Sequence, residues 1–186
     1  MRALAQRRLV EATANGVKFV FAAPGMNFEA RCAAAVPDPS PPALVVGGKT
    51  VYVRDAKGAV ELFSGKAVPV CDQHAPEFRA GLSRASQLRL YLWIGHSLEA
   101  AGDANAHLRS EGASRIFGEP QMTTTYAEHV ERELHEHAGL GEGDVHEVLY
   151  PAYRRAIGSI VEDLDAAVGN SKATGAGSSP SSPASS

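Results

Sequence analysis

The hydrophobic and polar positions form two patterns along the chain, a β-type front section and a helical back section. Up to Pro76, apolar residues come in short runs between Gly and Pro, which is typical of short strands and turns. After Pro76 they recur at helical spacing, as in the stripe through Leu88, Leu92 and Leu98. The chain is therefore predicted to hold a small α/β section followed only by helices.

Three elements are predicted near the start of the front section. Residues 3–14 are interpreted as a helix that ends at Asn15-Gly16, a pair suited to a helix C-cap. Val17–Phe21 is a compact run of β-type residues and predicts a strand. Phe28–Val36 has room for one or two helical turns.

The front section continues with a proline-rich segment and a predicted hairpin. Pro37–Pro42 contains four prolines, which exclude a helix or a central strand. Two short apolar runs, Ala43–Val46 and Thr50–Val53, then flank a Gly-Gly turn, which indicates a β-hairpin. Asp55 is expected to cap a short helix that extends through Phe63 with its apolar side chains inward.

Three helices are predicted in the back section. The first spans residues 83–101, and the second is a polar helix over Thr123–His137. The third begins at Pro151, where a missing backbone N–H costs nothing, and its apolar residues keep a helical period to Val168. Residues 102–120 are compatible with a loop that contains a helical turn.

Composition limits the class of partner. The chain has 186 residues and a formal net charge of -3, so nucleic acid and anionic membranes are not expected as main partners. No run reaches the roughly 20 apolar residues that span a bilayer. Cys32 and Cys71 are far apart and form no CxxC pair, which favours a reducing compartment. A cytoplasmic location is expected, and the arginine-rich start of the chain leaves an organellar one open.

Several segments resemble glutathione transferases. LVEATANGVKF (Leu9–Phe19) is similar to the first helix of that family running into its second strand. PPALVVGGKTVY (Pro41–Tyr52) is similar to the cis-proline hairpin, and DAKGAVELFSG (Asp55–Gly65) stands where the third helix packs under the sheet. RASQLRLYLW (Arg84–Trp93) resembles the first long helix of the helical domain.

The resemblance implies a fold class of α/β plus all-α. Residues 1–70 would form an incomplete thioredoxin-like domain, and residues 78–169 a helical domain like that of glutathione transferases. Residues 170–186 are rich in Ser and Pro and are expected to be a disordered tail.

The resemblance also implies a glutathione site at Pro42, Ala43, Arg54 and Asp55. A cis bond before Pro42 would expose neighbouring backbone to pair with the cysteinyl part of glutathione, although a plain proline-rich loop is the alternative. Arg54 could pair with a carboxylate of the ligand. Asp55 could receive its ammonium group or simply cap the following helix.

No catalytic residue, metal or cofactor is predicted. The family's first strand carries the Tyr, Ser or Cys that activates glutathione, and this sequence begins inside the helix that follows that strand. If the protein is active, its partners would be glutathione and a small electrophile. The alternative is a non-catalytic scaffold or a subunit of a larger assembly, including a homodimer, and a third interpretation is an unrelated helical assembly subunit with a β-hairpin.

Two other groups of residues could carry chemistry. His129, Glu133 and His137 recur every four residues on one helical stripe, but the HExxH arrangement is absent and the charges are typical of a solvated helix. Cys71 precedes His74 by three residues, so a Cys–His pair is conceivable. A structural cysteine is the favoured interpretation.

Overall fold

The computed structural model describes residues 8–108 and 120–158. As predicted, the described chain is mixed α/β, with small antiparallel sheets and several helices. It divides into two compact units. The described part of the first unit is 8–26, 94–108, 120 and 132–158, and the second unit is Asn27–Trp93 with Gln121–Glu131.

The strands pair only as neighbours in the chain, β1 with β2, β3 with β4 and β5 with β6. The strands are β1 (Val10–Ala14), β2 (Val17–Phe21), β3 (Val45–Val46), β4 (Lys49–Thr50), β5 (Leu62–Phe63) and β6 (Lys66–Ala67). The helices are α1 (Phe28–Ala35), α2 (Pro76–Ala100), a 3-10 helix (Gly102–Leu108), α3 (Thr124–Arg132), a π-helical turn (Glu133–His137), α4 (Glu142–Asp144) and a second π-helical turn (Val145–Leu149). No helix in the two described ranges is long and apolar enough to cross a membrane.

The first hairpin corrects the prediction of a helix over residues 3–14. β1 and β2 pair antiparallel, with Ala14 opposite Val17 next to the turn. Asn15 and Gly16 have φ angles of 48° and 75°, which fit the two-residue type I′ turn that Asn-Gly favours. The pair is therefore a hairpin turn and not a helix C-cap, while the start of the predicted helix lies outside the described residues.

β2 confirms the strand predicted at Val17–Phe21, but its side chains do not alternate between core and solvent. Phe19, Val20 and Phe21 are all buried, with at most 2% of each residue exposed. Because neighbouring residues point to opposite faces of a strand, both faces of β2 are covered by other parts of the chain.

The outer edge of β2 is closed by polar groups of α2 and the 3-10 helix. Asn105 Oδ1 accepts from the Val20 N–H at 2.9 Å, and Asn105 Nδ2 donates to the carbonyls of Val20 and Leu98 at 2.7 and 2.8 Å. Ser97 Oγ donates to the Ala22 carbonyl at 2.7 Å. These side chains replace a third strand, so the backbone of a buried edge strand is satisfied.

In the second unit, α1 confirms the helical turns predicted for Phe28–Val36. Residues 37–42 contain no helix or strand, as their prolines predict. Arg89 of α2 connects this region to the helix, because its Nε donates to the Val36 carbonyl at 2.7 Å and its guanidinium pairs with Asp38 at 2.6 Å.

Residues 43–71, called the β-module below, form three successive hairpin turns. The predicted hairpin around Gly47-Gly48 is confirmed by the pairing of β3 with β4. The helix predicted from Asp55 to Phe63 is wrong, because Arg54 pairs with Val60 across a turn and β5 pairs with β6 across Ser64-Gly65. The small residues Gly58 and Gly65 adopt positive φ there and end each turn where a helix would need to continue.

The helices of the back section follow the prediction with shifted boundaries. α2 starts at Pro76, earlier than the predicted residue 83, and buries the stripe of Leu88, Leu92 and Leu98. Gly102 follows it with φ 57°, a conformation that favours glycine at helix ends. α3 and its π-helical turn confirm the polar helix predicted at Thr123–His137.

The predicted start of the last helix at Pro151 is wrong, because the last described helix begins well before this residue. Its first residue is Glu142, and the Asp144 carboxylate accepts from the Gly141 N–H at 2.9 Å. The π-helical turn Val145–Leu149 precedes Pro151, and its wider spacing suits a proline that offers no N–H and crowds the preceding turn. The rest of this predicted helix and the predicted tail lie outside the described residues.

Candidate functional site

The four residues of the predicted glutathione site lie in two places in and beside the β-module. Pro42 and Ala43 are at its base, where Ala43 pairs with Cys71. Arg54 and Asp55 are at its second turn, where Arg54 pairs with Val60. No hydrogen bond between the two pairs is found in the described part of the chain.

The polar groups of these residues hold the module together. The Pro42 carbonyl accepts from the Asp72 N–H at 2.8 Å, and Arg54 Nη1 donates to the Gly58 carbonyl at 2.7 Å. Asp55 Oδ1 accepts from the backbone N–H groups of the second and fourth residues after it, each at 2.9 Å. The prediction of a cis bond before Pro42 is wrong, since none of the described peptide bonds is cis. Asp55 caps a turn rather than a helix.

The β-module exposes an unusual amount of apolar surface. Eight large apolar residues of the described ranges are exposed, and six of them lie in this module. They are Val45, Val46, Tyr52, Val60, Leu62 and Phe63. Phe63 is 77% exposed and Leu62 is 62% exposed at the third hairpin. A concentration of exposed apolar residues in one segment is typical of sites of protein association, whereas single exposed apolar residues are ordinary.

Two closed rings of backbone hydrogen bonds fix the shape of the module. In each ring, three residues donate in turn to one another, with N···O distances of 2.7–3.0 Å. The rings run through Leu44, Val70 and Val51, and through Val53, Val68 and Glu61. The apolar side chains of the rings are only half-buried, so backbone bonding rather than a large core specifies this fold.

Charge distinguishes the module from the rest of the chain. It carries four basic residues against the acidic residues Asp55 and Glu61, whereas the whole chain has a formal net charge of -3. Lys49, Lys57 and Lys66 each stand beside a turn glycine, so every turn carries one ammonium group. In the described ranges these three side chains form no ion pair. Positive charge therefore lies at each turn of the module, close in sequence to the exposed apolar residues.

A cavity of about 200 Å³ in the first unit is lined by two residues of the predicted His/Glu stripe. His107, Glu133 and His137 line it above an apolar floor that includes Phe19 and Leu134. His137 Nδ1 lies 3.0 Å from a carboxylate oxygen of Glu133, four residues earlier on the same helical stripe. His129 is not among the lining residues, and the described residues contain no group of three side chains arranged to hold a metal ion.

The two cysteines differ in environment. Cys32 is buried in α1, where its Sγ lies 3.6 Å from Met122 Sδ, and burial raises the pKa of its thiol to about 12. Its thiol therefore stays protonated and unreactive at neutral pH. Cys71 is exposed at the base of the β-module. The hydrogen-bond neighbour of His74 Nδ1 is Arg79 Nη2, at 3.5 Å.

The sequence contains a signal for the β-module that the predicted helix obscured. Lys57-Gly58 and Ser64-Gly65 are turn pairs, and the residues between them are mostly β-branched, aromatic or leucine. The two adjacent apolar residues Leu62 and Phe63 cannot both face one side of a strand. At least one of them was therefore bound to be exposed unless both faces were covered.

Comparisons with protein-family models, with curated proteins and with solved structures give no match to this chain. Its function is therefore inferred from its own residues.

Proposed function

We propose that the protein is a non-catalytic subunit of a protein assembly and that the β-module docks a partner protein with an acidic and apolar surface. The observation that carries the proposal is the clustering of exposed apolar residues, six of which lie within residues 43–71. Full burial of a side chain such as Leu62 or Phe63 contributes about 1.5–3 kcal/mol. Two or three such anchors are enough for a specific contact.

The charge of the module supports an acidic partner. Lys49, Lys57 and Lys66 stand at the three turns of the module, and complementary carboxylates on a partner would orient it and speed association. A membrane fits less well as the partner of the β-module, because lipid-binding segments are clusters of roughly four to eight basic residues. Here Asp55 and Glu61 lie among the basic residues.

The backbone of the module favours binding through a surface that is already folded. Its hydrogen-bonded rings and tight turns exist within the second unit itself. A surface that is already ordered loses little conformational entropy on association, which favours affinity. The module is thus suited to rigid docking rather than to folding on a partner.

The test places a photoreactive phenylalanine analogue at position 63 in the full chain, in the cells that naturally contain it. The matched control carries the analogue at Met26, which is 72% exposed but lies outside the module. We expect position 63 to crosslink to one protein that position 26 does not reach. That protein, once purified, should bind the unmodified chain and lose at least tenfold in affinity with Phe63→Ser but not with Met26→Ser.

Rising salt should also weaken the complex, because the proposal depends on complementary charge. Crosslinks from position 63 to a second copy of the chain, to lipid or to nothing would each overturn the proposal. Equal loss of affinity with Phe63→Ser and Met26→Ser would overturn it as well.

Glutathione binding within a thioredoxin-like, glutathione-transferase-like protein stays a second proposal. Its support is the similarity of the Pro41–Tyr52 segment and the confirmed hairpin that follows Pro42. Calorimetric titration with millimolar glutathione tests it, with Arg54→Gln as the variant expected to weaken binding. Absence of binding heat with folded protein would exclude it, and the docking proposal would be unaffected.

A further inference from the structure

The third hairpin of the β-module is apolar on both of its faces. β5 and β6 pair antiparallel, with Leu62 opposite Ala67 and Phe63 opposite Lys66 next to the turn. Neighbouring residues of a strand point to opposite faces, so the side chains of Leu62 and Phe63 lie on different sides of this hairpin. Leu62 is 62% exposed and Phe63 is 77% exposed. Neither face is therefore covered by the residues that the structure describes.

A surface groove lies on one of the two faces. It encloses about 440 Å³, and its lining includes Phe63, Pro69 and two residues of opposite charge, Glu61 and Lys66. Leu62 is not among the lining residues, which agrees with its position on the other face. All of the lining residues belong to the second unit. The Phe63 face therefore offers a concave surface with one acid and one base.

Two exposed faces limit the shape of a partner. A flat surface laid against this hairpin covers one face and leaves the apolar side chain of the other face in water. A cleft that encloses the hairpin covers both faces, and the removal of apolar surface from water favours association roughly in proportion to its area. Side chains in fully desolvated pockets also supply most of the binding energy of an interface. A cleft therefore uses both apolar residues, and a flat surface uses one.

We propose that the β5–β6 hairpin inserts into a cleft of the partner protein, with one wall against Leu62 and the opposite wall in the groove beside Phe63. This inference rests on the proposed docking function and names the element that enters the partner. The two charges of the groove favour a protein as the occupant. A polypeptide can place a base beside Glu61 and a carboxylate beside Lys66, whereas the phosphates of an anionic membrane would be repelled by Glu61.

The first hairpin of the module provides an internal comparison. Val45 and Val46 of β3 are also neighbours and are 57% and 63% exposed, but their side chains are smaller. They do not line the groove, whose residues all lie between positions 61 and 69. The insertion is therefore assigned to β5–β6, and a substitution in β3 is a matched control.

The experiment places a photoreactive phenylalanine analogue at position 62 or at position 63 of the full chain, in the cells that naturally contain it. We expect both positions to crosslink to the same protein, and mass spectrometry should map the crosslinks to two separate segments of that protein. Crosslinks from position 63 alone, or from both positions to one segment, would overturn the insertion and leave the docking proposal standing. Crosslinks to a second copy of the chain, to lipid or to nothing from both positions would overturn both proposals.

Affinity for the purified partner then tests each face separately. Leu62→Ser and Phe63→Ser should each weaken binding by about tenfold or more, whereas Val46→Ser should weaken it by less than about threefold. Circular dichroism should show the same fold for all three variants, because the substituted side chains are exposed. An affinity unchanged by Leu62→Ser, or lowered equally by Val46→Ser, would overturn the insertion, while the loss with Phe63→Ser would still support docking.

Discussion

Two hairpins of this protein have the same kind of turn but differ in whether their aromatic residues are buried. β1–β2 and β5–β6 both reverse through a two-residue turn with positive φ at both positions, Asn15-Gly16 in one and Ser64-Gly65 in the other. Phe19 of the first hairpin is fully buried, whereas Phe63 of the second is 77% exposed. Local sequence therefore specifies the hairpin, and the surrounding chain decides whether its apolar residues become core or surface.

The contrast predicts that a Phe→Ala substitution has a large effect on stability in the first hairpin and a small one in the second. Phe19→Ala should lower the free energy of unfolding by about 3–5 kcal/mol, because it leaves a cavity in a packed core. Phe63→Ala should change it by less than about 0.5 kcal/mol, as is usual for exposed residues. Urea unfolding monitored by circular dichroism measures both. A cost above 2 kcal/mol for Phe63→Ala would show that the β-module uses this residue for its own stability.

The polar side chains beside the first hairpin should also contribute more to the free energy of unfolding than those of the β-module. Asn105→Ala removes the partners of the Val20 N–H and carbonyl in a buried place, and we expect a loss of about 2–3 kcal/mol. Asp55→Ala removes turn bonds that lie in solvent, where water can replace them, and should cost less than about 1 kcal/mol. The same unfolding experiment compares them. Equal losses would contradict the view that side chains replace a strand at the edge of β2.

The two cysteines extend the contrast to pH. The pKa of Cys32 is raised from 9.0 to about 12, chiefly by burial, so the folded state favours its protonated thiol. This stability is fully present below pH 9 and is lost as the pH rises from 9 towards 12, by roughly 1 kcal/mol at pH 10. Comparing unfolding at pH 8 and pH 10 tests this. Cys32→Ala should remove that part of the pH dependence, whereas Cys71→Ala should leave it unchanged.

The turns of this protein are easier to predict from the sequence than the elements between them. Asn15-Gly16 marks the end of an element, but the same pair suits a helix C-cap and a type I′ turn. The burial of β2 distinguishes the two outcomes, and it depends on residues distant in the chain such as Asn105. The long stripe of α2 was predictable because one helix face repeats its own signal over many turns.

The candidate surface was harder to predict than the fold. A sequence shows that Leu62 and Phe63 are apolar, but not that no other part of the second unit covers them. The sequence alone predicts Asp55 at a helix start equally well, because an aspartate caps turns and helices with the same carboxylate oxygen. What separates the two outcomes is Gly58, which takes a positive φ three residues later and closes the turn.

The smallest expected effect concerns the two turns themselves. Ser64 has φ 49°, a conformation that Asn adopts more readily than Ser. The first hairpin already has an asparagine, Asn15, at the equivalent turn position. Ser64→Asn should therefore stabilise the chain by about 0.5 kcal/mol, and Ser64→Ala should bring no gain. Asn15→Ser should cost more than that gain, because Asn15 Nδ2 also donates to the carbonyls of Ala138 and Gly139. Thermal unfolding of the three variants measures the differences, and equal shifts for Ser64→Asn and Ser64→Ala would show that backbone strain at this turn is negligible.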